Sequence, residues 1–471
     1  MGQKERFYVD IMALQEEVTG SCNLVVVKYP NGETTRFIVD CGLFQEREYQ
    51  KYNCDFPFDG ENIEFAIITH NHVDHVGRLP LLIKKGFNGK IYATYPTKTF
   101  MPLALFDSYK VLKDLAKRNH EKELYSEANV SEALKKTVGC MYNEPIQLNE
   151  NIKFTFFMNG HLIGAAIVLL QISYPGYDDI NILFTGDYSN KNIFLDIVDP
   201  PEWIWNLPLT VVQESTYGDM DSSQIVYSLE NNILECVSRK KTTVCMVFSL
   251  GRCQEVLYFL KKLQDEGKLS TEIPIYLDGK LAIQYTSIYK NADIGIKEEM
   301  QDFLPANLTF VSKDTRPLLL EDDACKIILT TSGMGTYGPA QIYIPNYIEK
   351  EGCLLQFTGY TAEGTLGRRL KDTPKGETVT ISGVLKLKLA DVAYTNEMSA
   401  HAKADDLIDF LKKYKNLKFV LVTHGENLTE QIYAARVAKE VTPKDVAILE
   451  REYFFRINAY GLVRSLSTSY R

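Results

Sequence analysis

Six short apolar runs in this chain end abruptly on a histidine or a carboxylate: RFIVD at Asp40, FAIITH at His70, KFTFFMNGH at His161, NILFTGD at Asp187, LTVVQE at Glu214 and KFVLVTH at His424. Runs of this length, rich in Val, Ile, Leu and Phe, read as buried strands. Polar groups at the ends of neighbouring strands converge on one edge of a sheet, where α/β proteins build their sites. Further strands are expected at NLVVVKY, KIYATY and AAIVLLQISY, with a helical stretch at about 99–139.

From about residue 219 to 390 the pattern changes to alternating strands and helices. A helix near 221–239 is followed by TTVCMVFSL, a helix from Arg252, and the runs IPIYLDG, LTFVS, KIILTTSG and CLLQFTGY. That alternation predicts a parallel α/β sheet in a domain of its own, and 471 residues are too many for one compact core. Strands ending on histidine lie on both sides of this block. The simplest topology therefore inserts residues 218–390 into a domain built from 1–217 and 391–471. The N-terminal MGQKERFYVDIMALQEE has no signal-peptide core, and runs such as AAIVLL are too short to span a bilayer. Nine cysteines without a C-x-x-C pair read as small buried hydrophobes in a reducing compartment, so a cytoplasmic protein without membrane partners is expected. A net charge of −9 argues against a general nucleic-acid-binding surface, though not against a local basic groove, and bound metal ions would offset part of it.

Six of the seven histidines fall in four segments: ITHNHVDHVG, MNGHLIGAA, NEMSAHAKAD and LVTHGEN. The first contains H-x-H-x-D-H at a strand exit. Residues two apart in extended chain point the same way, so His70 and His72 can grip one ion, while Asp74 and His75 turn with the chain toward a second. Hydrolytic two-metal sites hold their ions about 3.5–4 Å apart and bridge them with a carboxylate. Asp187 is the best bridge; His161 would complete the first ion's set, and His424 would join Asp74 and His75 on the second. Nitrogen and carboxylate donors without thiolate favour zinc, with manganese as the substitute. Asp40 is either a capping residue or an acceptor that fixes a histidine tautomer. A single histidine at a strand end is more often structural than ligating, and His120, in the charged run RNHEKE, is read that way.

Further segments join these in a fixed order: EVTGSCN, DCGLFQ, THNHVDHVGRLP, GHLIGAA, FTGDYS, ESTYGD, FSLGRCQE, TTSGMGTYGPA, GYTAEGTLGRRL, MSAHAKAD and THGEN. In this order they closely resemble the metallo-β-lactamase superfamily and specifically its β-CASP nuclease branch. The resemblance implies an α/β protein: an αββα sandwich carrying an inserted parallel-sheet β-CASP domain. Its metal set maps onto His70, His72, Asp74, His75, His161, Asp187 and His424, and its additional motifs onto Glu214, His401 and His424. A histidine at the last position marks the RNA-cleaving members, so single-stranded RNA is the implied substrate.

The implied chemistry is attack on phosphorus by a hydroxide bridging two metal ions, with Asp74 and Asp187 in the catalytic set. His401, held by Glu214, would protonate the departing 3′ oxygen. Endonuclease action with additional 5′-to-3′ exonuclease activity is expected of a compact bacterial homologue of the pre-mRNA 3′-end endonuclease, a relative of RNase J without extra domains.

Arg252, Arg368 and Arg369 are candidates for phosphate contact, as are Lys386 and Lys388, for which surface ion pairing is the alternative. Ser399 is a candidate for anchoring a 5′ phosphate near His401. The Gly-rich TTSGMGTYGPAQ reads as a phosphate-binding turn or a plain tight turn. YSNKNIFLDIV after Asp187 departs from the GD-x-x-R run of many relatives. With net negative charge, RNA affinity is expected to be modest or to depend on a homodimer or an RNA-processing partner. The competing readings are a non-catalytic RNA-binding scaffold and a hydrolase of a small phosphodiester or ester.

Overall fold

The computed structural model describes residues 6–458 except Glu16, Arg47, Tyr360, Ala362 and Glu363, together with the backbone of 462–466. Tyr360, Ala362 and Glu363 of the GYTAEGTLGRRL segment thus lie outside the described residues. The chain divides into two compact units, residues 1–223 with 401–471 and residues 224–400.

The first unit contains two sheets. One has eight strands in the order Leu462–Leu466, Tyr453–Ile457, Tyr8–Ala13, Asn23–Lys28, Thr34–Val39, Phe65–Ile67, Lys90–Thr94, Thr137–Cys140. The other has seven: Asp445–Ile448, Leu417–Thr423, Leu209–Glu214, Ile180–Phe184, Ala166–Ile172, Ile152–Met158, Pro145–Gln147. Side chains alternate across each strand, and both faces are buried, which is why runs such as LVVV are continuously apolar. Val25 and Val27 join Phe154, Phe156, Val168, Ile182 and Leu421 in a core between the sheets. Their neighbours Leu24 and Val26 face Leu79, Leu82, Met101 and Leu105, which lie on helices. On the far side, Leu169, Leu183 and Val420 pack on Leu407, Phe410, Tyr433 and Val437. The layers are therefore helix, sheet, sheet, helix.

The expected helix at 99–139 is two helices, Tyr95–Asn119 and Glu127–Lys136. The first stops because His120 turns left-handed, with φ 57°. The second starts because Ser126 and Asn129 form a reciprocal cap.

The second unit carries a six-stranded parallel sheet in the order Leu308–Phe310, Ile275–Asp278, Ile327–Thr330, Thr243–Met246, Leu354–Phe357, Asp391–Tyr394. A two-stranded hairpin, Thr378–Ile381 with Val384–Leu387, accompanies it. Among the described residues no helix is long and apolar enough to cross a membrane.

Candidate metal centre

In the eight-stranded sheet, Thr34–Val39 and Phe65–Ile67 run parallel, so Asp40 and His70 leave it at the same edge. In the seven-stranded sheet, Ile180–Phe184, Leu209–Glu214 and Leu417–Thr423 are mutually parallel, which brings Asp187, Glu214 and His424 to one edge. The two edges meet at a cluster of buried imidazoles and carboxylates.

The H-x-H-x-D-H segment is held by the loop after Asp40. Cys41 N–H donates to His75 O (2.7 Å), Leu43 N–H to Val73 O (3.0 Å) and Arg78 N–H to Cys41 O (2.8 Å). The loops approach so closely at Gly42 that a Cβ there would overlap the Asp74 carbonyl, so no other residue fits. Asp40 (φ 64°) and His424 (φ 58°) occupy the left-handed region, a conformation that costs non-glycine residues about 1–3 kcal/mol and must be enforced by their surroundings.

The donor atoms fall into two sets. His70 Nε2 and His161 Nε2 lie 3.2 and 3.1 Å from His72 Nδ1, and 3.4 and 3.5 Å from Asp187 Oδ2. His75 Nε2 and His424 Nε2 lie 3.3 Å apart, each 3.2–3.3 Å from Asp187 Oδ1, with Asp74 Oδ2 at 3.8–3.9 Å. Asp187 therefore presents one oxygen to each set. His70, His72, His161 and Asp187, and separately Asp74, His75 and His424, are close enough to share an ion.

The donor chemistry fits a cation in each. Imidazole nitrogens 3.1–3.3 Å apart must share a proton or a metal cation, since two bare lone pairs at that distance repel. Burial pushes His70 and His72 down, so both stay neutral near pH 7 and can act as ligands. Burial also acts against charge on His75, but Asp187 and Asp40 outweigh it and hold its proton affinity well above the usual value. Burial alone would raise Asp187; the neighbouring histidines, led by His424, reverse this and hold it well below the carboxylate range. The buried carboxylates thus favour positive charge beside them.

Behind the donors lies a layer of orienting groups. His75 Nδ1 lies 2.8 Å from Asp40 Oδ2, which holds a proton on Nδ1 and turns Nε2 toward the site. Thr69 donates to Asp40 from both N–H and Oγ1 (2.8 Å each) and lies 3.1 Å from His70 Nδ1. Thr216 Oγ1, 3.2 Å from His424 Nδ1 and from His424 O, plays the same part for that ring. Asn159 ties two loops together: its Nδ2 donates to Thr185 O (2.8 Å) and Asp187 O (2.5 Å), and its Oδ1 accepts from His161 N–H (2.9 Å) and Ser189 N–H (3.3 Å). Sequence reasoning missed Thr69, Thr216 and Asn159; the only signal available was their closeness to ligand segments.

His401 stands beside the cluster. Its Nδ1 lies 2.9 and 3.0 Å from the two oxygens of Glu214, and its Nε2 lies 3.9 Å from Asp187 Oδ2. Glu214 is itself fixed by Tyr188 N–H (2.5 Å) and Thr216 N–H (3.2 Å). Burial opposes charge on His401, but Glu214 and, less strongly, Asp187 outweigh it and raise its proton affinity.

The basic candidates belong to the second unit. Arg252 is 7% exposed, its Nη1 lies 3.2 Å from Glu255, and its Nε has no hydrogen-bond partner among the described residues. Arg368 pairs with Asp372 (3.1 Å), and Arg369 is exposed. Ser399 is half-buried, its N–H donating to Asn396 O (3.1 Å). Lys386 pairs with Glu349 (2.7 Å). Lys388 is buried and donates to the carbonyls of Leu370 and Thr373 at the end of helix Leu366–Asp372, so it is a capping group and not a phosphate contact.

A two-sheet sandwich that gathers imidazoles around a straddling carboxylate at one edge defines a metal-dependent hydrolase. Comparison with known proteins narrows this class. Family models match in order along the chain: the metallo-β-lactamase superfamily at residues 18–139, the β-CASP domain at 253–370, and the Zn-dependent metallo-hydrolase RNA specificity domain at 386–449. A ribonuclease of Thermus thermophilus is 30% identical over 87% of this chain and 91% of its own length. An RNase J-like protein of Methanocaldococcus jannaschii is 28% identical over 89% and 94%. The transcription termination factor FttA of Methanosarcina mazei is 29% identical over 93% and 70%. The chain spans 64–70% of the length of the FttA relatives it matches. The chain belongs to the β-CASP nuclease family of the metallo-β-lactamase superfamily.

Proposed function

We propose that this chain cleaves single-stranded RNA as a two-metal phosphodiesterase, acting endonucleolytically and, from a free end, 5′ to 3′. The observation that carries the reading is the division of Asp187 between two donor sets, one oxygen to each. His70, His72 and His161 would hold one ion and Asp74, His75 and His424 the other, with Asp187 between them and Asp40 fixing the His75 tautomer. Zinc suits these donors best, and manganese is the alternative. The ions, when bound, supply Lewis acidity that activates water near neutral pH and neutralises charge on the phosphate.

The chain's own residues do the rest. Glu214 accepts a hydrogen bond from His401 Nδ1–H and stabilises positive charge on the ring, so that Nε2–H can deliver its proton to the departing 3′ oxygen. Products would carry a 5′ phosphate and a 3′ hydroxyl. Arg368, Arg369 and Ser399 are proposed backbone contacts, and Arg252, already facing Glu255, is proposed to support that surface from within. A domain division at 217/218 and 390/391 goes with this reading, as does RNA binding helped by a second copy or an RNA-processing partner.

The test is incubation of the zinc- or manganese-loaded protein with 5′-hydroxyl, 5′-monophosphate and circular RNA. Cleavage of the circle establishes the endonuclease, and dependence on a 5′ monophosphate establishes the exonuclease. No cleavage of any of the three by protein carrying two equivalents of metal would refute the proposal.

A further inference from the structure

Against the donor clusters, a cavity with room for a water molecule is lined by Asn23, Asp40 and His75 on one side and Asp187, Thr423 and His424 on the other. Asn23, the first residue of strand Asn23–Lys28, is 4% exposed, and its Oδ1 has no hydrogen-bond partner among the described residues. Asp187 Oδ1 faces His75 Nε2 and His424 Nε2 at 3.2 and 3.3 Å and accepts no other hydrogen bond among the described residues. A carboxylate oxygen has two acceptor directions, so an ion held by His75 and His424 would leave one of them for a hydrogen bond. Two buried acceptors cannot satisfy each other, and leaving one without a donor costs about 1–3 kcal/mol. Water, with two hydrogens, is the smallest group that answers both. Its own lone pairs can be met by the Thr423 hydroxyl, which accepts from Gln15 Nε2 (2.8 Å) and so has its proton to give.

We infer that this cavity is a water site in which one ordered water donates to Asn23 Oδ1 and Asp187 Oδ1, making Asn23 a positioning residue for the carboxylate between the two donor sets. The inference rests on the metal-centre reading. A carboxylate that must serve two ions needs its plane fixed, and groups of this kind change metal affinity by about 10–100-fold.

Two variants test it, Asn23→Leu, which fills the space with apolar atoms, and Asn23→Ser, which keeps an oxygen and leaves room for water. Long-lived internal waters are counted by oxygen-17 relaxation dispersion, and zinc binding is titrated against a chelator. Asn23→Leu is expected to lose one long-lived water and to bind one of its two zinc equivalents about 10–100-fold more weakly. Asn23→Ser is expected to retain both properties. The metal-free Asn23→Leu protein should melt lower than the parent, because the lost water leaves Asp187 Oδ1 without its donor, whereas Asn23→Ser should melt as the parent does. An unchanged water count in Asn23→Leu, an equal zinc loss in Asn23→Ser, or a lowered melting temperature of both metal-free variants would overturn the inference. Uptake of fewer than two equivalents by the parent would instead refute the two-ion reading, and the water count would still test the site.

Discussion

Replacing Asn159 with alanine is expected to loosen the metal centre without removing a donor atom. The side chain is 1% exposed and makes four hydrogen bonds, to Thr185 O, Asp187 O, His161 N–H and Ser189 N–H. A hydrogen bond contributes about 0.5–1.5 kcal/mol net, but a buried backbone group stripped of its partner costs about 1–3 kcal/mol. Four such groups set an upper bound that water entering the vacated space would reduce, giving a loss of roughly 3–5 kcal/mol. The displaced loops carry His161 and Asp187, so zinc affinity should fall by about 10–100-fold. Denaturant unfolding, with the two units' transitions assigned separately, reads the first number, and chelator competition reads the second. Asn159→Asp sharpens the test, because it sets an oxygen against the carbonyls of Thr185 and Asp187 while preserving the acceptor side. It should be at least as damaging. An alanine variant within about 1 kcal/mol of the parent with unchanged zinc affinity would refute the clamp, as would an aspartate variant indistinguishable from the parent.

Glu214→Gln should lower turnover by about 100–10,000-fold, and because the lost carboxylate had raised the proton affinity of His401, the alkaline limb of the rate profile should move to lower pH; an unmoved limb would separate the pair from proton transfer. Removing metal with a chelator should lower the melting temperature of the first unit, and zinc at about 100 times its Kd should restore roughly 2.7 kcal/mol of stability, read by calorimetry. Lys388→Met should destabilise the second unit by about 1–3 kcal/mol, since the carbonyls of Leu370 and Thr373 lose their donor, and should leave zinc affinity untouched.

The donor residues were legible because each is carried on a local pattern. An apolar run ending on a histidine or carboxylate places that group at a strand end whatever the surrounding fold, as with His70 and His424. The H-x-H-x-D-H spacing further suggests which of its members face which ion. Boundaries were less legible. The helix expected over 99–139 breaks at His120, whose left-handed φ leaves no trace in local composition. The basic residues were the hardest to read, since exposure is not a local property. Lys386 and Lys388 sit two apart with the same side chain, yet one lies on an exposed ion pair and the other is buried under a helix end.

What the sequence determined by itself was the inventory of the centre and the order in which strands deliver it, because strand period and strand ends are short-range consequences of residue type. Tertiary structure alone decided how those groups are held. The Asn159 bonds to Thr185 and Asp187, the Thr216 contact to His424 and the Gln15 bond to Thr423 join residues 26 to 408 positions apart. Partners at such separation are chosen by how two sheets pack at one edge, and a hydrogen bond forms there only after the packing has brought donor and acceptor to within about 3 Å.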